Sequence, residues 1–404
     1  MRRRTRPEIL AGVLWVGGML GCVTSTGGDA GPVAPTLESL MEREVQLPPV
    51  QSFGSADGKV RAAAAGKLSE PLARVEDGWY GAFDIGSDGM VECLFYPQSM
   101  DAATSLKVLV ARFFESLREQ GEVREPRILS VGVGLAEDRP FFETDWLVVV
   151  DGAAYQAKFK FANQANLAVY CQHTETGYAE AFGEFYRSVL GSLETDPEPP
   201  VAFRDVSIVS IGEMQIGYQT SLGRLDEDDD YKIEIAASTL IPNGPGEFAS
   251  SDDYIVEFSR PDGELINQVW ISSDGENVTQ LSLRTADDET GAWQVEGEMQ
   301  GKPIEARFDS LSPLLSSLGE ARLVRRLGND EAGAQARYRR WLGPLSPGTA
   351  VDHAATSLGQ SRVETVAGPV TSNVEVDAHG VRSGIIQMGR LEMKLDRVHV
   401  EGDF

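Results

Sequence analysis

Positive charge is scarce in this 404-residue chain: 36 Lys and Arg stand against 62 Asp and Glu, a formal net charge of −26. Such a surface repels nucleic acid, whose binding depends on neutralising phosphates. It favours solubility and basic partners. Histidine is scarcer still. His173, His353, His379 and His399 share no spacing that suits a metal. The sequence holds no Gly-x-Ser-x-Gly elbow, no Ser-x-x-Lys, no phosphate loop and no His-Glu-x-x-His. "GVGLAE" (132–137) lacks the third glycine of a dinucleotide fingerprint. The acidic run Asp226–Asp230 offers oxygen ligands at alternate positions. It lacks the turn glycine and the distal Glu of a helix–loop–helix calcium site, so it reads as a solvated hairpin tip. These absences leave no catalytic residues, no metal and no cofactor to expect.

Cysteine is also sparse, three in all, and the first has a distinctive setting. Arg2, Arg3, Arg4 and Arg6 precede an uncharged run from Ile9 to Leu20, the order of a secretory signal. A dozen helical residues rise only about 18 Å, short of a bilayer core of about 30 Å. Met19-Leu20-Gly21-Cys22 resembles a bacterial lipobox. That resemblance implies cleavage before Cys22, a diacylglycerol on its sulfur, and membrane lipid as a partner. Val23 in the next position implies outer-membrane delivery, facing the periplasm or the cell surface. The alternative is a plain secreted protein cut near Gly21. Loss of residues 1–21 removes four arginines and one glutamate and takes the charge to −29.

Cys93 and Cys171 remain, an even count that suits one disulfide in an exported chain. A nucleophile built from Cys171 and His173 is the competing reading. Their Cβ atoms would lie nearly 7 Å apart along a strand, and no third group is evident to orient them.

Residues 22–70 are rich in Gly, Ser, Thr, Pro and Ala and read as a flexible tether. Two short helices, "TLESLMEREVQL" (36–47) and "AAAAGKLSEP" (62–71), need not dock. Residues 71–196 read as an α+β domain. Leu106, Leu109, Val110, Phe113 and Leu117 make one helical stripe, and Tyr178, Phe182, Phe185, Val189 and Leu193 another. Strand-like runs lie between, with Asp151-Gly152 as a hairpin turn. The element order and "GYAEAFGEFYRSVLGSLE" (177–194) make residues 75–195 similar to the PsbP-like α/β sandwich. That resemblance implies a binding or assembly module with no fixed catalytic set.

"LETDPEPPVAF" (193–203) reads as a linker. Residues 197–404 then form a β-rich domain, with Tyr231, Ile233 and Ile235 alternating with Lys232 and Glu234. "SPLLSSLGEARLVRRL" (312–327) and "DEAGAQARYRRWLG" (330–343) read as an inserted helical pair. Strands follow, with a bulge near Asp396-Arg397. This order looks like the half-barrel of the periplasmic lipoprotein carriers, which implies an apolar ligand in the concave sheet. The expected class is therefore α+β: an N-terminal antiparallel sheet covered by helices, then a mainly β domain with a curved antiparallel sheet.

One cluster runs against the acidic background. Arg322, Arg325, Arg326, Arg337, Arg339 and Arg340 lie close in sequence with Tyr338 and Trp341. Arginine beside aromatics suits phosphate headgroups or an acidic partner. The competing reading is that these residues neutralise the protein's own acidic sheet. Together the features suggest a membrane-anchored envelope lipoprotein that binds an unknown envelope protein and does no chemistry. The alternatives are a periplasmic carrier of a lipid or other apolar ligand and, third, a hydrolase.

Overall fold

A computed structural model describes residues 36–76, 78–97, 101–164, 167–194, 199–286, 292–310 and 312–402. The leader and Cys22 lie outside the described residues. The chain divides into two compact units. The first takes residues up to 99, then 105–196 and 242–247; the second takes 100–104, 197–241 and 248–404.

In the first unit α1 (Leu37–Met41) is followed by a hairpin of β1 (Gln51–Gly54) and β2 (Arg61–Ala64). The strands β3 (Lys67–Leu68), β4 (Ala73–Val75), β5 (Gly78–Asp84), β6 (Met90–Pro97), β7 (Val123–Ala136), β8 (Arg139–Val150), β9 (Ala153–Gln164) and β10 (Leu167–His173) form one antiparallel sheet. Its order is β3-β5-β6-β10-β9-β8-β7, with β4 also on β5. Two helices lie against it, α2 (Ala102–Gln120) and α3 (Ala179–Ser192). Phe182, Phe185, Tyr186 and Val189 of α3 pack on Trp79, Phe83, Phe95 and Phe141. On the opposite face Phe113 and Phe114 of α2 meet Phe159 and Trp146 edge-on or tilted.

The expected tether is much shorter than residues 22–70. Val60, Ala62 and Ala64 are buried in the first unit's core, and Val45 and Leu47 pack on it. The Glu44 carboxylate accepts the Glu180 and Ala181 amides, 2.8 and 3.0 Å, at the start of α3. "AAAAGKLSEP" is strand, not helix: Ala62 and Ala64 alternate inward, and the Ala63 and Ala65 amides donate to Ser192 and Ser188 of α3.

The second unit is one 14-stranded sheet. A meander runs through β11 (Phe203–Ile211), β12 (Met214–Leu225), β13 (Tyr231–Gly244), β14 (Glu247–Ser259), β15 (Leu265–Ser273), β16 (Val278–Thr285), β17 (Trp293–Met299) and β18 (Lys302–Phe308). Helix α4 (Ser317–Asn329) follows. A second meander runs through β19 (Gln335–Arg340), β20 (Val351–Gly359), β21 (Arg362–Ala367), β22 (Val370–Asp377), β23 (Gly380–Met388) and β24 (Leu391–Gly402). The two meanders join where β24 pairs with β11, and β18 and β19 are the edges. The β11–β24 register skips Val398, since His399 faces Val206 and Arg397 faces Ser207.

The sheet curls because one helix serves both meanders. Leu318 of α4 clusters with Phe203, Ile233 and Ile235. Val324 and Leu327 cluster with Tyr338, Ala355, Val363 and Val376. Trp341 and Ala350, beyond β19, pack on Leu281, Leu283, Trp293 and Val295 of β16 and β17. The concave face is thus occupied by the chain's own helix and by residues 341–350.

The chain is mainly β, which corrects the α+β class expected from the sequence: long antiparallel strands dominate both units. The inserted helical pair is also corrected. Only α4 is an α-helix, and "QARYRR" is strand β19 paired with β20. Its alternation decides the matter: Tyr338 is buried while Arg337 is exposed.

Candidate binding surface

The arginine cluster does not form one face. Arg340 lies inside the curled sheet between two carboxylates. Its Nη2 is 3.2 Å from Glu257 Oε1 and its Nη1 donates to Glu320 Oε2. Glu257, fully buried on β14, also accepts the Ser317 amide and hydroxyl at the start of α4, 2.7 and 2.6 Å. The Tyr338 hydroxyl donates to Glu320 Oε1, and His353 Nδ1 lies 3.6 Å from the same oxygen. Burial alone would raise the Glu320 pKa, but the Arg340 charge and the His353 and Tyr338 hydrogen bonds outweigh it and bring the value to about 2. Burial also disfavours the charged form of Arg340, yet the two carboxylates hold its proton more firmly than usual.

The other cations are spread around the unit. Arg339 Nε is 3.0 Å from Asp352. Arg322 donates to the Pro261 carbonyl and lies over the Tyr231 ring, 5.4 Å from its centroid. Arg325 donates to the Ala378 carbonyl, 2.8 Å. Arg326 and Arg337 are exposed. Trp341 is fully buried, and its indole donates to the Pro347 carbonyl, 3.2 Å. The expected anion-facing patch is therefore corrected: Arg340, Arg339, Arg322, Arg325 and Trp341 serve the protein's own interior and loops.

Helix α4 is held at close range. A Cβ on Gly319 would lie 2.3 Å from the Gly263 carbonyl oxygen, in a turn where Gly263 has φ +92°. Gly319→Ala is expected to destabilise the second unit by about 1–3 kcal/mol, because the helix must shift away from β14 and β15. Urea denaturation checks this; an unchanged midpoint would refute the close-packed seat of α4.

In the first unit Cys93 and Cys171 face each other across β6 and β10 and are joined by a disulfide, Cα–Cα 4.1 Å. That removes Cys171 as a nucleophile. His173 is buried, its pKa lowered to about 3 by burial and then by the nearby Lys158 charge. Its Nε2 is 3.2 Å from Ser87 Oγ. Sequence reasoning missed Lys158 and Lys160, both buried beneath α3. Burial lowers the Lys158 pKa to about 8, with Asp145 and Glu175 opposing. Lys158 donates to the Glu175 carbonyl, while Lys160 pairs with Glu143 and lies 5.3 Å from the Phe182 ring centroid. The only signal was alternation: Gln156, Lys158 and Lys160 share one side of β9, and Phe159 and Phe161 the other. Lys158 and Lys160 are thus enclosed and partnered within the protein.

The second unit has two surfaces of note. A groove of about 350 Å³ crosses β20 to β24, lined by Leu358, Arg362, Asn373, Glu375, Ile385 and Lys394 among others. The second is an apolar lip at one end of the sheet. Met388 and Leu391 are each 39 % exposed and Met214 is 36 % exposed. Leu395 faces Gly384, which faces Val374 of the α4 cluster, so this side of β22 to β24 is concave. Met393, Ile386 and Val370 continue it, half-buried.

No protein-family model matches the chain, and no curated protein does. Among solved structures it is similar to the crystal structure of a beta-barrel-like protein of the domain of unknown function DUF1849 from Brucella abortus. The match has 13 % identity and a TM-score of 0.38 and covers 50 % of this chain and 97 % of that one. So distant a likeness carries no argument about function.

Proposed function

We propose that the mature chain is a lipid-anchored protein of the bacterial cell envelope, held at the outer membrane through Cys22, that works by binding and not by catalysis. The observation that supports this most is the occupied concave face. Helix α4 and Trp341 fill the curl of the sheet, while an apolar lip beside them stays exposed. A filled interior with an exposed apolar patch is the pattern of a partner-binding module. Among the described residues, the buried charged sets, Arg340 with Glu257 and Glu320 and Lys160 with Glu143, are partnered inside the protein, which weighs against a hydrolase built on them.

The carrier reading keeps one point in its favour, since the lip lies on the concave side. Two measurements on one sample test these readings. Intact mass of the natively expressed protein is expected to show a chain beginning at Cys22 with acyl groups attached. Native mass spectrometry of the same sample is expected to show no further bound lipid. A bare Cys22 or a retained leader would overturn the anchor. Stoichiometric copurified lipid would make the protein a carrier.

A further inference from the structure

Within the first unit, the segment between α1 and β1 forms a strap. Residues 43–50 run without strand pairing, and α1 ahead of them has no buried residue. Arg43, Val45 and Leu47 are half-buried in alternation with exposed Glu44 and Gln46. The Arg43 carbonyl accepts the Tyr178 amide, and the Glu44 carboxylate accepts the amides of Glu180 and Ala181. Tyr178 precedes α3 with φ +60° and gives the helix no side-chain cap. The strap therefore supplies acceptors that the first turn of α3 lacks. The Arg43 guanidinium donates to the Tyr178 hydroxyl and lies 3.4 Å from Asp88 and 3.6 Å from Glu175.

The groups that the strap grips surround His173. Ser87, next to Asp88, places its Oγ 3.2 Å from His173 Nε2, and the Tyr178 ring stands edge-on to the imidazole, 6.0 Å between centroids. Lys158 of β9 donates to the Glu175 carbonyl and feels the charges of Asp145, Glu175 and Glu44. Lys160, farther along β9, pairs with Glu143. The Glu175 carboxylate accepts the Gly89 amide, 2.6 Å, and Glu92 accepts from Gln172. His173 Nδ1 is buried without a partner. A proton added to His173 in place would thus be a buried charge beside a lysine, with no carboxylate bonded to it.

We propose that residues 42–47 are an acid-released strap: a proton on His173 favours the state in which the strap has left α3 and water reaches the imidazole. The closed state holds His173 at a pKa of about 3, through burial and then the Lys158 charge; a hydrated imidazole has about 6.5. The open state binds the proton first, so the closed state loses stability as pH falls below about 6.5. Lys158, at about 8, is charged in both states below that value and adds little to the change. Release frees residues 36–50. That lengthens the tether by about 50 Å, a consequence that rests on the acyl-anchor reading.

The amides of Tyr178, Glu180 and Ala181 report the strap directly, because their acceptors lie on it. Their hydrogen exchange is read by NMR in the soluble chain without its leader, from pH 7.5 to 5, and corrected for the intrinsic pH dependence. Opening is expected to rise about 30-fold, with onset near pH 6.5. Amides from Tyr186 to Leu190 inside α3 are expected to keep their protection. His173→Gln, which cannot titrate, is expected to flatten the profile. Arg43→Gln is expected to raise opening at every pH and keep the same dependence. Opening that ignores pH in the wild type overturns the proposal. So does an onset only below about pH 5, which would put the proton on a carboxylate; this decides the matter even where His173→Gln does not fold. Parallel loss of protection at Tyr186–Leu190 overturns it as global acid unfolding, and an unchanged profile in folded His173→Gln overturns it too. A bare Cys22 in the native protein would remove the tether consequence and leave the strap standing.

Discussion

Arg340→Ala is expected to cost the second unit about 3–5 kcal/mol, the usual result of removing one partner from a buried ion pair. The loss comes less from the missing contact than from what stays behind. Glu257 is fully buried, and Glu320, on α4, is bonded to Tyr338 and Arg340 of β19. Without the guanidinium, the two carboxylates keep only their contacts with Ser317, Tyr338 and His353. Urea denaturation followed by hydrogen exchange at β14, β19 and α4 checks the magnitude. A loss under about 1 kcal/mol would mean that water reaches the pair. The combination Glu257→Gln, Glu320→Gln and Arg340→Met is expected to recover much of the loss, because neutral groups of similar size remove the uncompensated charge.

Acid gives the same prediction a second readout. The folded pKa of Glu320 is about 2, below its ordinary 4.5, so its ionised form stabilises the fold. That contribution is fully present above pH 4.5 and is lost as pH falls toward 2. In Arg340→Ala, burial without the cation raises the Glu320 pKa, and the sign reverses. The stability gap between wild type and variant is therefore expected to narrow as pH falls below 4.5.

Local features were legible in the sequence. The two long apolar stripes predict α2 and α3 closely. Asp151-Gly152 forms its turn with both φ values positive, and Asp274-Gly275 turns at a positive-φ glycine. What failed was the weight given to helix formers. "AQARYRR" has strong helical propensity in isolation, but β20 offers it six paired partners and the core takes Tyr338. Tertiary pairing overrides propensity there, as it does at Ala62–Ala64. The polar interior was illegible for a different reason. Arg340 meets Glu257 across 83 residues, and no local pattern announces a contact at that distance. An arginine that neutralises a remote buried glutamate looks, in sequence, the same as one that faces solvent. The lip was hidden likewise: Met214, Met388 and Leu391 become neighbours only when β24 closes against β11.

Breaking the Cys93–Cys171 bond is expected to cost the first unit about 4 kcal/mol on the loop-closure model for the 78-residue separation. For a domain of this size that corresponds to a fall in melting temperature of about 8–16 °C. The bond also pins a register. Cys93 and Cys171 are direct partners between β6 and β10, both buried with Phe95 and Val169 in the core beneath α3. A one-residue slip would turn each of these side chains to the opposite face of the sheet. Double replacement by alanine would mix the loss of closure with the loss of packing. The clean comparison is therefore wild type unfolded and refolded in reductant against wild type kept oxidised, since both retain the sulfur atoms. Slower exchange at β6 and β10 amides in the oxidised form locates the effect in the first unit; equal melting of the two forms would refute it. A cost near 4 kcal/mol is a large part of the stability of a typical domain. It follows that the first unit should be only marginally folded in a reducing compartment and should accumulate when exported to an oxidising one. A leaderless chain that folded equally well in both compartments would argue against the envelope as its place of work.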